Sequence, residues 1–166
     1  MTNDELIKQF AQIEYDCWKK NLAPVLNISD YLYYKTPLSI AEEIKDLLRG
    51  GKAKVIRYED HDNKDFVIGF AIITYDSNHK KYIIEKLFIT PQYQNKHLGQ
   101  NMIKAIIDNF GEYPIGIKVF ENYRPIHNVL LKQGFKGSQK KTFNLEYGKN
   151  SIPVEMKYYL YKGEQK

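Results

Sequence analysis

The sequence has a single cysteine, Cys17, and no apolar run close to the roughly 18 to 20 residues that a membrane span requires. One cysteine excludes an internal disulfide framework and a cysteine-rich zinc site, and it fits a reducing compartment. Residues 1–5 lack the basic start and apolar core of a secretory signal. We therefore expect a cytoplasmic protein with no membrane partner and no bound metal.

Internal repeats, low-complexity tracts and linkers are also lacking. The 166 residues are 43% apolar and 14% aromatic, which is enough apolar surface to exclude disorder and to bury a core. The sequence thus predicts one globular domain over residues 1–166.

Charge is divided unevenly along the chain. Residues 1–83 carry 12 Lys and Arg against 13 Asp and Glu, whereas residues 84–166 carry 13 against 7. The net charge of +6 in the second half favours an anionic ligand such as a phosphorylated cofactor, an acidic surface or nucleic acid. Solvated surface lysines are the alternative interpretation.

Hydrophobic periodicity predicts four helices and six strands, in an order typical of a mixed α+β layer with one βαβ crossover. Ser39 and Glu42 are read as a capping box that opens the second helix, which stops at Gly50. The other helices are predicted at 4–20, 98–110 and 125–133, and the strands at 54–58, 66–75, 82–89, 115–120, 143–147 and 154–161.

The most informative stretch is a strand, a tight polar loop and a helix. The apolar strand 82–89 ends before Pro91, the loop is 92–97, and the helix opens near Leu98. Backbone N–H groups in the first turn of a helix have no partner within the helix, so they can converge on an anion. Lys96 adds charge and Gly99 lets the backbone come close, as a pyrophosphate requires.

These residues resemble the acetyl-CoA motif of the GNAT acyltransferase superfamily. That motif is a strand reading Leu-x-Val, then Pro-x-Tyr, then Gln/Arg-x-x-Gly-x-Gly/Ala leading into a helix. The corresponding residues are Leu87-Phe88-Ile89, Pro91-Gln92-Tyr93 and Gln94-Asn95-Lys96-His97-Leu98-Gly99. His97 replaces the first glycine, and histidine tolerates a positive φ better than most other residues.

A second resemblance lies downstream, where Asn122 precedes a short helix that ends in Lys132-Gln133-Gly134-Phe135. The tyrosine that the family often carries four residues before this glycine is Leu130, and no strand is evident before the first helix. The resemblance covers 65–135. It implies the GNAT fold: a mixed, mostly antiparallel central sheet of about six or seven strands flanked by about four helices.

The resemblance implies that acetyl-CoA and an amine react directly in a ternary complex. The pyrophosphate would lie on the amides of 95–100, the pantetheine arm beside Phe88 and Ile89, and Asn122 on the far side of that arm. A strand N–H near Ile89 would stabilise the developing oxyanion. The expected cofactor-binding residues are Phe88, Ile89, Gln94, Asn95, Lys96, His97, Leu98, Gly99, Gln100 and Asn122.

Glu85 is the candidate general base, because the family often places a carboxylate two residues before the strand leucine. Its alternative is an ion pair with Lys86 or with a neighbouring strand. With Leu130 at the usual acid position, the proton for the leaving thiolate would come from Tyr123, another tyrosine or water. Cys17 is expected in the core, and His127 on a solvated helix face.

Three functions stay open. The first is an N-acetyltransferase acting on a small-molecule, peptide or protein amine, which Asp30, Glu42 and Glu43 could attract. The second is a CoA-binding module that has lost catalysis, suggested by His97 and Leu130. The third is nucleic-acid binding through the basic half, which we do not expect except for a charged tRNA whose amine is acetylated. The resemblance also allows a homodimer.

Overall fold

The computed structural model describes residues 1–94 and 96–163 and has a mixed seven-stranded sheet at its centre. The strand order is β1-β2-β3-β4-β7-β5, with β6 also paired to β7. Among the strand pairs of the described residues only β3–β4 is parallel, so the mostly antiparallel sheet expected above is confirmed. The strands are β1 (Lys54–Glu59), β2 (Val67–Asp76), β3 (Lys81–Ile89), β4 (Ile115–Phe120), β5 (Lys136–Gly137), β6 (Lys141–Tyr147) and β7 (Asn150–Tyr161).

Helices cover both faces of the sheet. Successive side chains of a strand point to opposite faces, so β2 contributes Phe70 and Ile72 to one core cluster and Ala71 and Ile73 to the other. The first three helices pack on the Phe70 face, and the last two pack on the opposite face. The helices are α1 (Asn3–Cys17), α2 (Ala23–Leu26), α3 (Pro37–Leu48), α4 (Leu98–Phe110) and α5 (Pro125–Lys132).

Short irregular turns connect these elements. The chain passes through a π-helical segment at Trp18–Leu22 and 3-10 turns at Ser29–Tyr33 and Pro91–Tyr93. No helix in the described ranges is both long and apolar enough to cross a membrane.

The feature that positions the site is the separation of β3 from β4. Their parallel pairing includes Tyr82 with Ile115 and Ile83 with Gly116, and it extends no further among the described residues. At the next positions the register of β3 against β2 shifts, so that Glu85 is the extra residue of a β-bulge. A bulge bends its strand. We infer that this bend directs β3 away from β4 and opens a gap in the sheet.

The predicted start of the second helix was wrong. Thr36 is the N-cap, and the capping box joins Thr36 to Ser39 rather than Ser39 to Glu42. The physical reason is Pro37, whose fixed φ and missing N–H suit the first helical position, so that the cap is Thr36, three residues before the predicted Ser39.

The predicted solvated position of His127 was also wrong. The side chain is 5% exposed, with Nδ1 2.7 Å from the Tyr159 hydroxyl oxygen and Nε2 3.0 Å from the Phe120 carbonyl oxygen. Because a carbonyl only accepts, Nε2 donates to Phe120, and Nδ1 shares the second hydrogen bond with the Tyr159 hydroxyl. His127 therefore joins α5 to β4 and β7 as a structural residue.

Candidate functional site

A cavity of about 790 Å³ lies where β3 and β4 separate. On the side of α4 and α5 it is lined by His97, Gly99 and Val129. On the side of α1 it is lined by Glu14 and Trp18. The cavity is therefore reached from both faces of the sheet, through the gap.

The backbone of β3 presents an open edge to this cavity. The amide of Thr90 donates to the carbonyl of Ile68 on β2, at 2.8 Å. Because backbone groups alternate in direction along a strand, Lys86 and Phe88 also bond toward β2, and Leu87 and Ile89 point toward the gap. An extended ligand can therefore pair with Leu87 and Ile89 as an added strand would.

Gln94 ties the loop after β3 to the segment that follows α1. Its side-chain amide donates to the Ile89 carbonyl at 3.0 Å and to Asn21 Oδ1 at 2.9 Å. The Cys17 thiol donates to the same carbonyl at 3.1 Å. The carbonyl of Ile89 is thus already bonded within the protein, and its N–H remains directed to the gap.

The N-terminus of α4 meets the same cavity. His97 precedes the helix with φ 61° and ψ 14°, the left-handed conformation that the family motif fills with glycine. No side chain of the described residues caps this helix, and a Cβ added at Gly99 would meet nothing within 4 Å. Free amides beside open space fit a pyrophosphate group.

The structure brings most of the predicted cofactor residues together. Asn95 lies outside the described residues. Lys96 and Asn122 are exposed and lie outside the cavity lining, with the Lys96 ammonium 5.2 Å from the centre of the Tyr93 ring. The candidates that line the cavity are Phe88, Ile89, Gln94, His97, Leu98, Gly99 and Gln100, together with the candidate base Glu85.

Replacing His97 tests the left-handed position before α4. We expect His97→Gly to keep acetyl-CoA affinity within about threefold, because the backbone already has the glycine-like shape. We expect His97→Val to lose about 1–3 kcal/mol of stability, since a β-branched residue is strained there. Urea unfolding and calorimetric titration measure both. A valine variant as stable as wild type would contradict the assigned geometry.

Glu85 stands at the bulge with its side chain exposed. Its Oε1 accepts a hydrogen bond from the Thr74 hydroxyl at 2.8 Å, across to β2. Lys86, the alternative partner, bonds elsewhere. A solvent-accessible carboxylate at the wall of the cavity, fixed by one hydroxyl, is placed to accept a proton from an incoming group.

Sequence reasoning missed an ion network on the α1 side of the cavity. Glu14 is 1% exposed, and its Oε1 lies 2.6 Å from Lys86 Nζ while Oε2 accepts from the Trp18 indole at 3.1 Å. Lys35 Nζ lies 3.7 Å from Glu14 Oε2 and 2.8 Å from Glu43 Oε1. The sequence did contain one indication of this network: Glu14 lies between Phe10 and Cys17 on the buried face of α1.

Glu43 completes the network at its solvent side. Burial raises the pKa of its carboxyl, but the hydrogen bonds and charges of Lys35 and Lys86 outweigh that effect and lower the pKa overall. Lys86 Nζ lies 3.1 Å from Glu43 Oε2. Glu43 is therefore an ionised counterion for both lysines at neutral pH, not a free group that attracts a substrate ammonium.

Cys17 is buried, as expected, although it also lines the cavity. Burial, aided by the charges of Asp16 and Glu14, raises the pKa of its thiol to about 12. A thiol in this state is a poor nucleophile, because only the thiolate attacks. The arrangement therefore disfavours a covalent acyl-enzyme on Cys17.

The rate of alkylation measures the reactivity of the Cys17 thiol directly. At about pH 8 we expect iodoacetamide to label native Cys17 roughly 10³-fold more slowly than a free thiol of ordinary pKa, because far less thiolate is present. The same protein in urea, where the thiol is released, is the control. Equal rates in the two states would contradict the assigned environment.

Leu130 and Tyr123 differ in placement. Leu130 is fully buried in the core cluster beneath α5, whereas Tyr123 lines the cavity. Burial, with a smaller contribution from Cys17, raises the pKa of the Tyr123 hydroxyl, which therefore stays protonated at neutral pH. Tyr123 is thus available to donate a proton where Leu130 is not.

The fold and the site together define a class of protein: an α+β domain in which a helix N-terminus with free amides adjoins the open edge of a split sheet. The family model described as "Acetyltransferase (GNAT) family" matches residues 9–135. The chain therefore belongs to the GNAT acetyltransferase family. Among the described residues, no group of three His, Cys, Asp or Glu side chains is arranged to hold a metal ion.

Known proteins agree with this assignment. The chain is 34% identical over 92 residues to a spermine/spermidine N(1)-acetyltransferase of Bacillus subtilis, a match that covers 48% of this chain and only 59% of that relative. A GNAT-family acetyltransferase of Staphylococcus aureus Mu50 shares the fold over 97% of this chain and 95% of its own, with a TM-score of 0.63 and 12% identity. A Bacillus subtilis acetyltransferase solved in complex with CoA shares it over 73% and 83%, with a TM-score of 0.58 and 13% identity.

Proposed function

We propose that the chain is an acetyl-CoA-dependent N-acetyltransferase that brings its two substrates together in a ternary complex. The observation that carries this proposal is the meeting, in one cavity, of the α4 N-terminus with the open edge of β3. The helix N-terminus suits a pyrophosphate, and the open strand edge suits an extended arm that carries amide groups. Acetyl-CoA has both groups.

The protein's own groups would hold the cofactor as follows. The amides of Gly99 and Gln100 bind the pyrophosphate and the backbone groups of Leu87 pair with the arm, which leaves the N–H of Ile89 for the thioester carbonyl at the end of the arm. Acetyl-CoA, when bound, supplies the acetyl group as a thioester. Lys96 and Asn122, exposed outside the cavity lining, are proposed as peripheral contacts, and Asn95 belongs to the same proposal.

The protein's catalytic groups act on protons and position. Glu85 takes the proton from the attacking amine, and the N–H of Ile89 stabilises negative charge that develops on the carbonyl oxygen. Tyr123 returns a proton to the departing sulfur. Holding the amine beside the thioester supplies much of the remaining acceleration.

A thiol-release assay tests the proposal. The protein is mixed with acetyl-CoA and a panel of primary amines, and free thiol is followed with a colorimetric reagent. Amine-dependent release is the expected result. Acetyl-CoA binding without release from any amine would favour the non-catalytic CoA-binding module. Failure to bind acetyl-CoA, together with salt-dependent binding to RNA, would replace the proposal with the nucleic-acid function.

The resemblance to a spermine/spermidine N(1)-acetyltransferase makes polyamines the first amines to include in that panel. Cytoplasmic location and a homodimer remain predictions. Gel filtration at several concentrations, read beside the kinetic assay, measures the oligomeric state.

A further inference from the structure

Two lysine ammoniums line the half of the cavity that lies across the sheet from α4. Lys35 and Lys86 are 11% and 10% exposed, and both belong to the cavity wall. If the pyrophosphate occupies the α4 side, as the proposed function requires, the acceptor enters on the side of these lysines. Their chemistry then bears on which amine is accepted.

The network has unused hydrogen-bond donors and few unused acceptors. Lys86 Nζ, with three N–H groups, bonds one oxygen of Glu14 and one of Glu43. Lys35 Nζ bonds only Glu43 at hydrogen-bond distance, since Glu14 lies 3.7 Å away. Each lysine therefore keeps at least one N–H without an acceptor among the described residues.

The carboxylates of the network are already engaged: Glu14 lines the cavity beside Lys86, and Glu43 lies outside the lining. The two oxygens of Glu14 accept from Lys86 and Trp18, and the side chain is 1% exposed. Glu43 accepts from both lysines and does not line the cavity. Within this network a substrate ammonium would find carboxylate oxygens that already accept hydrogen bonds, whereas a substrate carboxylate would find free N–H donors on two ammonium groups.

We propose that the acceptor is a primary amine that also carries a carboxylate, the chemistry of a free amino acid. Lys35 and Lys86 bind the carboxylate, and Glu85, which lines the same cavity, faces the amine. A polyamine would need a carboxylate for its second cationic centre, and apart from Glu85 the described part of this wall offers only Glu14, which is paired with Lys86.

The wild-type protein provides the first test. Free L-amino acids, including lysine and ornithine, are assayed beside their methyl esters, and beside cadaverine and putrescine, which lack the carboxylate. We expect kcat/KM to be about tenfold or more higher for at least one free acid than for its ester and its diamine. Equal or faster turnover of the esters, the diamines or spermidine would overturn the inference.

Variants test the two lysines. Lys86→Met alone would leave the buried carboxylate of Glu14 without its closest positive partner. It is therefore combined with Glu14→Gln, so that no buried charge is left uncompensated. This double variant and Lys35→Met are each expected to raise KM for the free amino acid about tenfold. In both, kcat/KM for the acid divided by kcat/KM for its ester should fall to near unity. Lys81→Met, on the same strand outside the cavity, should leave the ratio unchanged. An unchanged ratio in both test variants would refute the role of the lysines.

The two proposals fail in different ways. Thiol release with spermidine or esters but no preference for acids contradicts only the carboxylate inference. Failure of acetyl-CoA to bind, measured by calorimetry on the same preparations, contradicts the proposed function and removes the basis of this inference with it.

Discussion

Replacing Glu85 with glutamine is expected to lower kcat by about 10²–10⁴-fold, the usual contribution of a general base. The amide keeps the shape of the carboxylate, and its oxygen can still accept the bond from Thr74. It cannot take a proton. The KM for acetyl-CoA should stay within about threefold of wild type, because Glu85 is assigned no contact with the cofactor.

A variant that keeps the carboxylate separates a base from a positioning residue. Glu85→Asp should recover part of the kcat that Glu85→Gln loses, because aspartate can still take a proton. Glu112→Gln, an exposed glutamate in the turn after α4, is the matched control and should leave kcat unchanged. A Glu85→Gln variant with wild-type kcat would assign proton removal to water or another group.

Replacing Gly99 with tryptophan is expected to weaken acetyl-CoA binding by about 100-fold or more, which corresponds to roughly 2.7 kcal/mol. The direction of a Cβ at Gly99 leads into open space, and Gly99 lines the cavity beside the free amides of α4. The indole would therefore fill the position assigned to the pyrophosphate. Because it meets no protein atom at the Cβ, the thermal stability should change little.

Gly99→Ala is the matched control. A methyl group also meets nothing within 4 Å, and alanine favours a helix over glycine by up to about 1 kcal/mol. We expect unchanged or slightly higher stability and acetyl-CoA affinity within about fivefold of wild type. If the Gly99→Trp variant binds acetyl-CoA as tightly as the Gly99→Ala variant does, the cofactor lies elsewhere.

The loop and helix start of the candidate anion site could be predicted from sequence because their determinants are local. The strand 82–89, the polar loop and the start of α4 are consecutive in the chain, so their order alone fixes which amides meet. The left-handed position of His97 followed from its place in the motif. The family resemblance implied a pantetheine arm beside Phe88 and Ile89, but the end of the β3–β4 pairing and the bulge at Glu85 are visible only in the register of the strands.

The half of the cavity proposed for the acceptor could not be predicted because its contacts are distant in the chain. Glu14 and Lys86 are 72 positions apart, and their pairing depends on how α1 packs against β3. Taken alone, Lys86 reads as a surface lysine and Glu43 as a solvated helix residue. Only the packed structure shows that these charges neutralise one another beside the cavity.

His127 shows a similar limit at a single residue. Its position near the start of a short amphipathic helix fits a solvated face, and the sequence does not reveal that β7 brings the Tyr159 hydroxyl within reach. The cap of α3, in contrast, was predictable: a proline at the first helical position already identifies Thr36 as the N-cap.

Amide hydrogen exchange, followed residue by residue by NMR with and without acetyl-CoA, tests most directly whether the cofactor lies along the open edge of β3. The amides of Leu87 and Ile89 point to the gap, while those of Lys86 and Phe88 are directed to β2 and serve as internal controls. We expect saturating acetyl-CoA to slow exchange at Leu87 or Ile89 by about tenfold or more, with little change at the controls. Unchanged exchange at both positions would contradict the proposed binding of acetyl-CoA in the split sheet.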